Sequence, residues 1–376
     1  MRILHFITSL RTGGAERLVA DLLPKILQEG EEVSLLLLDG TRTPLFEELE
    51  SKGVRIDSLS RGWRAMRNPL LVFKLIRFLH KEHFDIVHTH NTSCQMMAAF
   101  ASAFVPLSLV TTEHNMTNKR RACKAFKPVD RWMYGQYQRI ACVGKETENA
   151  LLSYLPKLSG KTVIIPNGID LGRFREAKPS TALSCTTGFK ILMVAAFRAQ
   201  KDHVTLIRAL ALLPETYHLF LAGGAETPED ERTLLASKQL TQTLNVDDRV
   251  SFMGVREDIP ELLAACDVAV LSSHFEGFGL SAVECMACGK PLIASNVKSL
   301  DTVVSGAGLL FPQGDAEALA ECIREVCENP GKARETGILG KARAQKYDLA
   351  RTVRNYHDLY RSIAKKKENL SDKKSD

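Results

Sequence analysis

Short apolar runs separated by longer amphipathic stretches recur along all 376 residues, and this alternation narrows the fold more than any other feature. A run of four to six apolar residues without polar alternation reads as a strand covered on both faces, which belongs in a parallel sheet flanked by helices. In the first half the predicted strands fall at 2–7, 33–38, 54–59, 86–89, 107–111, 139–143 and 162–165. In the second half they fall at 190–195, 218–222, 250–253, 268–271, 291–294 and 308–311. Each half carries the pattern independently, so the expected fold class is α/β with two Rossmann-like domains.

Length also favours two hydrophobic cores over one. A first domain is expected at 1–170, followed by a linker at 171–188 whose later part is rich in Pro, Ser and Thr. The second domain is expected at 189–345, with a C-terminal helix at 346–364 packing back toward the first and a disordered polar tail at 365–376. The nine cysteines are an odd number scattered through apolar stretches, which reads as reduced thiols in a cytoplasmic protein. Cys285 and Cys288 fall inside a predicted helix with no second pair at zinc spacing, so packing is the expected role. The first ten residues read as a strand and carry no secretory signal. Residues 91–112 hold no charge, yet Asn91, Gln95 and Pro106 break the run, so a buried helix and strand are expected there in place of a membrane span.

Positive charge is concentrated in one half. Residues 1–170 hold 23 Lys and Arg against 17 Asp and Glu, whereas residues 171–376 hold 27 of each. The densest stretch contains Lys119, Arg120, Arg121, Lys124, Lys127 and Arg131, and suggests an anionic partner or a membrane surface.

Ligands of doubly wound sheets bind beyond the strand carboxyl ends, where helix N-termini present free amides. One such loop is Thr12-Gly13-Gly14, opening a helix after the first strand. It lacks the G-x-G-x-x-G spacing, so Asp39 at the end of the second strand does not complete a nicotinamide site, and no phosphate-binding G-x-x-x-x-G-K-[ST] occurs. The strongest feature joins Glu276, on a glycine-rich loop, to Glu284 in the helix that the loop opens. Amides of Phe278, Gly279 and Leu280 between them suit a diphosphate, with Glu284 accepting from ribose and Glu276 from a sugar. Arg198 and Lys201 follow the first strand of the second half and can neutralise a departing diphosphate. His114 ends a first-domain strand.

Taken in order, Gly13-Gly14, Asp85-Ile86-Val87-His88-Thr89-His90, Thr112-Glu113-His114, Ile165-Pro166-Asn167-Gly168-Ile169-Asp170, the Arg198 and Lys201 cluster and the E-x7-E of Glu276 and Glu284 resemble the retaining glycosyltransferases of family 4. The resemblance covers nearly the whole chain and implies the GT-B fold, two facing Rossmann-like domains with a deep interdomain cleft. It implies that Gly13 and Gly14 close on the donor phosphates, Lys201 holds the diphosphate, Glu276 the sugar and Glu284 the ribose, with His114 beside the sugar. Glu276, His114 and Lys201 are thus the expected catalytic set, and Arg198, Phe278, Gly279 and Leu280 further donor contacts. Family members often carry an arginine five residues before the lysine; Ala196 stands there, and Arg198 looks like its alternative.

The resemblance further implies a nucleotide-sugar donor, a UDP-hexose or UDP-N-acetylhexosamine, and a polyprenyl-diphosphate-linked or other saccharide acceptor in O-antigen, capsule or exopolysaccharide synthesis. Arg120, Arg121 and Lys124 would meet that acceptor or an anionic membrane surface at the cytoplasmic face. No D-x-D occurs, so no essential metal and no cofactor is expected, and nucleic acid is not an expected partner. Two other readings are a sugar-nucleotide epimerase of the same shape and a catalytically silent sugar-nucleotide-binding subunit.

Overall fold

Every expected strand forms, within two residues of its expected bounds. The computed structural model describes residues 1–11, 13–62, 68–116, 120–121, 123–184 and 187–372. Thr12, Lys119, Cys185 and the last four residues of the expected tail lie outside the described residues.

The chain opens with β1 (Arg2–Ile7), α1 (Gly14–Gln28), β2 (Glu32–Asp39), α2 (Pro44–Ser51), β3 (Arg55–Ser60) and α3 (Leu71–Glu82). It continues through β4 (Ile86–His90), α4 (Thr92–Ala101), β5 (Leu109–Glu113), α5 (Lys127–Gly135), β6 (Arg139–Cys142), α6 (Lys145–Tyr154) and β7 (Thr162–Ile164). Next come α7 (Leu171–Arg175), β8 (Phe189–Val194), α8 (His203–Ala211), β9 (Tyr217–Ala222), α9 (Pro228–Thr243), β10 (Val250–Gly254) and α10 (Ile259–Ala265). The last elements are β11 (Val268–Leu271), α11 (Leu280–Cys288), β12 (Leu292–Ser295), α12 (Lys298–Val304), β13 (Leu309–Phe311), α13 (Ala316–Cys327), α14 (Pro330–Ala344) and α15 (Leu349–Asp372).

Two compact units result: Met1–Gly168 with Leu349–Asp376, and Ile169–Asp348. The first holds a seven-stranded sheet of order β3-β2-β1-β4-β5-β6-β7, the second a six-stranded sheet of order β10-β9-β8-β11-β12-β13. Strand pairing is parallel throughout, as in the register of Ile3 opposite Val33 and Ile86. Both orders reverse direction beside their first strand, between β1 and β4 and between β8 and β11, so successive loops diverge there and leave room for a ligand.

Side-chain alternation sorts the first sheet into two cores. Leu4 and Phe6 turn to one face with Leu36, Leu75, Ala98, Met133 and Leu151, under α3, α4, α5 and α6. Ile3 and Ile7 turn to the other with Leu23, Leu35 and Leu37, under α1, α2 and α15. Leu349, Val353, Tyr356, Tyr360 and Ile363 recur at helical spacing along α15 and pack into this second core. Burying such a stripe stabilises the helix by about 1.5–3 kcal/mol per large side chain.

Two boundaries differ from expectation. Residues 171–188 belong to the second unit: Asp170 caps α7 by accepting from the Gly172 amide at 3.1 Å, and Leu171, Phe174 and Leu183 are buried. Three apolar anchors suffice to hold a segment whose composition reads as a linker. The C-terminal helix runs on to Asp372, through part of the expected tail, because extending a formed helix with Lys, Glu and Leu costs little. The C-x-x-C cysteines lie in α11, where Cys285 is buried and Cys288 half-buried, and no disulfide occurs among the described residues. Residues 91–112 form α4 and the buried β5, and no helix among the described residues is long and apolar enough to cross a membrane.

Candidate functional site

At the β8/β11 switch of the second unit, Lys201 and Glu276 come together. The loop after β8 ends in Asp202, whose φ of 50° turns the chain sharply into α8. Its carboxylate caps that helix, accepting from the Thr205 amide at 3.2 Å and hydroxyl at 2.6 Å. The Ser272 hydroxyl at the end of β11 donates to the carbonyls of Asp202 at 2.8 Å and Lys201 at 3.2 Å, fixing the backbone that carries the ammonium. Lys201 Nζ then donates to Glu276 Oε1 at 2.5 Å, and the Ser273 hydroxyl donates to the same oxygen at 2.7 Å. Both donors use Oε1. The Glu276 carboxylate is 9% exposed and the Lys201 side chain 18%, so a solvent-facing edge persists on an otherwise covered pair.

Gly279 caps α11 with a φ of 89°, and a Cβ there would sit 2.7 Å from Leu300 Cδ2, so a side chain is excluded by both backbone and packing. Phe278 and Gly279 are buried and Leu280 half-buried at this helix start, where the Ala282 amide donates to the Gly279 carbonyl at 3.0 Å and the amides ahead of it precede the helical ladder. The Ser281 hydroxyl donates to the Val194 carbonyl at 3.1 Å and ties α11 to the end of β8. Glu284 lies one turn farther along α11, half-buried. Arg198 is exposed on the β8 loop, where its carbonyl accepts from the Lys201 amide at 2.8 Å. Sequence reasoning missed Ser272 and Ser273, although adjacent small hydroxyls at a strand end are a readable signal.

The first unit places its predicted residues around β1, β4 and β5. Gly14 begins α1 and Gly13 caps it in extended conformation; the nearest atoms to a Cβ on Gly13 would be those of the Glu16 carboxylate. Asp39 is fully buried and turns the chain, accepting from the Thr41 and Gly62 amides at 3.1 and 2.7 Å, which fits a structural acid. His114 follows β5 and lines a recess of about 30 Å³ with Asn91, Thr92, Gln95, Thr112, Glu113 and Asn115. Behind it, Glu113 accepts from Gln95 Nε2 and the Tyr134 hydroxyl, each at 2.6 Å, and from Arg121 NH2 at 2.6 Å.

That last contact corrects the expectation that Arg120 and Arg121 face an anionic partner. Arg121 is 7% exposed and bound to Glu113, and Arg120 pairs with the buried Asp130 at 2.9 Å. Internal acids absorb both charges. Lys124 alone of the three is exposed.

Two parallel-sheet Rossmann-like units, the second with a glycine-opened α11 and a cation near its strand ends, match the GT-B scaffold. Residues 175–343 match the family model for glycosyl transferases group 1, and residues 12–173 match that for glycosyltransferase family 4. The chain belongs to the family 4 glycosyltransferases. Among its relatives is the UDP-Gal:alpha-D-GlcNAc-diphosphoundecaprenol alpha-1,3-galactosyltransferase of Escherichia coli, 26% identical over 89% of this chain and 90% of the relative. The putative glycosyltransferase EpsD of Bacillus subtilis is 26% identical with the same coverage. The Anabaena protein Alr3699/HepE, solved in complex with UDP-glucose, has the same fold, with a TM-score of 0.86 at 23% identity over 96% of this chain and all of that one.

Proposed function

We propose that this glycosyltransferase moves a hexose or N-acetylhexosamine from UDP to a saccharide carried on polyprenyl diphosphate, with retention at the anomeric carbon and without a metal ion. The observation that carries this reading is the Lys201–Glu276 pair at the start of α11. The Lys201 ammonium and the first-turn amides of α11 offset the charge of a departing diphosphate, the part a divalent ion plays elsewhere. Glu276, with Oε1 engaged by Lys201 and Ser273, offers Oε2 to hydroxyls of the donor sugar. Glu284 takes the ribose hydroxyls and Arg198 supplies a second cation, while Gly13, Gly14 and His114 keep the donor contacts that the family resemblance assigns. The acceptor hydroxyl bonds to the anomeric carbon as the carbon–phosphate oxygen bond breaks on the same face, and its proton passes to the departing phosphate oxygen.

A lipid-linked acceptor is supported by the E. coli relative's name, and a UDP donor by that name and by the Anabaena complex. Synthesis of a cell-surface polysaccharide such as O-antigen or capsule, at the cytoplasmic face of a membrane, follows from such an acceptor. Phe73, Phe100, Phe104, Phe126 and Trp132 stand exposed on α3, α4 and α5 and the segments beside them, with Lys124 among them, and this apolar face is the proposed membrane contact.

The test is transfer of labelled sugar from a panel of UDP-sugars to lipid acceptors, with and without chelator. Glu276→Ala is expected to lower kcat by at least about 100-fold with UDP affinity little changed, and the native enzyme to keep its rate in chelator. Saturable UDP binding with no transfer would favour the silent subunit, and a strict need for a divalent ion would remove the metal-free mechanism.

A further inference from the structure

Four imidazoles and two tyrosines inside the first unit form one unbroken hydrogen-bonded line. The Tyr356 hydroxyl lies 2.9 Å from Thr112 Oγ1, which lies 2.7 Å from His88 Nε2. His88 Nδ1 is 2.6 Å from the Tyr360 hydroxyl, itself 3.2 Å from His5 Nε2. His5 Nδ1 is 3.0 Å from His90 Nε2, and His90 Nδ1 is 3.0 Å from His114 Nε2. The line ends at His114 Nδ1, which is covered and has no partner. Both tyrosines come from α15 and are fully buried, as are His5, His88 and His90.

Burial lowers His5 to about 3 and His114 to about 4, and holds His88 and His90 well below the ordinary range, so all four rings are neutral near pH 7. A neutral imidazole donates at one nitrogen and accepts at the other, so each ring passes the direction of one hydrogen bond to the next. A line in which Thr112 and Tyr360 each pass their own proton onward has only two directions. If protons point from His114 toward Tyr356, the Tyr356 hydrogen ends in the core with no acceptor among the described residues, a cost of a buried unsatisfied donor. In the opposite direction Tyr356 donates to Thr112, Thr112 to His88, His88 to Tyr360, Tyr360 to His5, His5 to His90 and His90 to His114. The interior protons then have acceptors, and the one left over, on the covered His114 Nδ1, is carried by a ring that lines the recess, where a ligand can supply the acceptor that the core around Tyr356 does not.

We infer that Tyr360 on the C-terminal helix is a positioning residue that fixes His114 with its proton on Nδ1, offered to an oxygen acceptor such as a sugar hydroxyl in the adjoining recess. The recess, about 30 Å³, takes one such group. The sugar as ligand rests on the donor contact proposed above for His114; the fixed tautomer does not. The three rings His5, His88 and His90 are also close enough to share a metal ion, but each nitrogen that faces another ring or a tyrosine is already used in the line.

Long-range proton–nitrogen correlation on the full chain with nitrogen-labelled histidine reads each tautomer directly. His5, His88, His90 and His114 are all expected with the proton on Nδ1. Tyr360→Phe should convert His114 to a mixture and raise KM for the UDP-sugar that turns over by about three- to tenfold with kcat little changed. Tyr356→Phe removes a hydroxyl from the same helix yet leaves Thr112 donating to His88, so its His114 pattern should match the native one. A native His114 protonated on Nε2, an unchanged pattern in Tyr360→Phe, or stoichiometric metal by elemental analysis would overturn the inference; the native spectrum decides even if Tyr360→Phe does not fold. If the tautomers are as stated and His114→Ala leaves KM for the UDP-sugar unmoved, the relay stands and the donor contact fails.

Discussion

Two cation–carboxylate pairs of similar separation sit in different surroundings. Lys201 and Glu276 keep an accessible edge at a strand end, whereas Arg121 is enclosed against Glu113, the Met116 carbonyl and the Tyr134 hydroxyl. Removing Arg121 would leave Glu113 buried and uncompensated, so Arg121→Ala is expected to lose about 3–5 kcal/mol in urea unfolding. Lys124→Ala, at an exposed position, should stay within about 0.5 kcal/mol. A loss below about 1 kcal/mol for Arg121→Ala would mean that water screens the pair. In the sequence these cations look alike, since a run of Lys and Arg records charge and not which members fold inward. Glu276 and Lys201 stood out as candidates because each lies on a loop past a strand end, where doubly wound sheets bind ligands; Glu113 did not, because its partners come from α4, α5 and the loop between β5 and α5.

Among the elements, α3, α4 and α5 carry the other consequence of folding those charges inward. Their inner sides join the core through Leu75, Ala98 and Met133, while Phe73, Phe104 and Trp132 are exposed by 43–61% on or beside them. Cosedimentation with vesicles of anionic and zwitterionic lipid is expected to fall at least about tenfold when Phe100, Phe104 and Trp132 are all changed to Ser, because their apolar area supplies the partition energy. Unchanged binding would count against these side chains as the proposed membrane contact. Strands were readable from sequence because a β-strand buried on both faces needs only local apolarity. α7 was not, since its stability comes from Leu171 and Phe174 meeting neighbours such as α10 and α11.

Across the whole molecule, the buried His5, His88, His90 and His203 and the half-buried His114 make the fold sensitive to acid. Burial lowers His5, His88, His90, His114 and His203, the last to about 4. Unfolded chains take up these protons below about pH 6.5 whereas the folded chain does not, so stability is full above that pH and falls as pH drops toward the folded values. Each fully shifted ring contributes a slope of up to about 1.4 kcal/mol per pH unit. Denaturant midpoints between pH 7.5 and 5 should therefore fall steeply, and a level midpoint would show that these rings titrate normally. By itself the sequence determined two parallel sheets, their strand bounds and the glycine-opened helix with its two glutamates, because apolar runs and turn residues act through near neighbours. Only the tertiary structure decided which cations are spent on internal acids and that α15 lays Tyr356 and Tyr360 over the histidines, Tyr360 meeting His88 from 272 residues away. Those contacts depend on which surfaces meet when distant segments pack, and no local pattern encodes that.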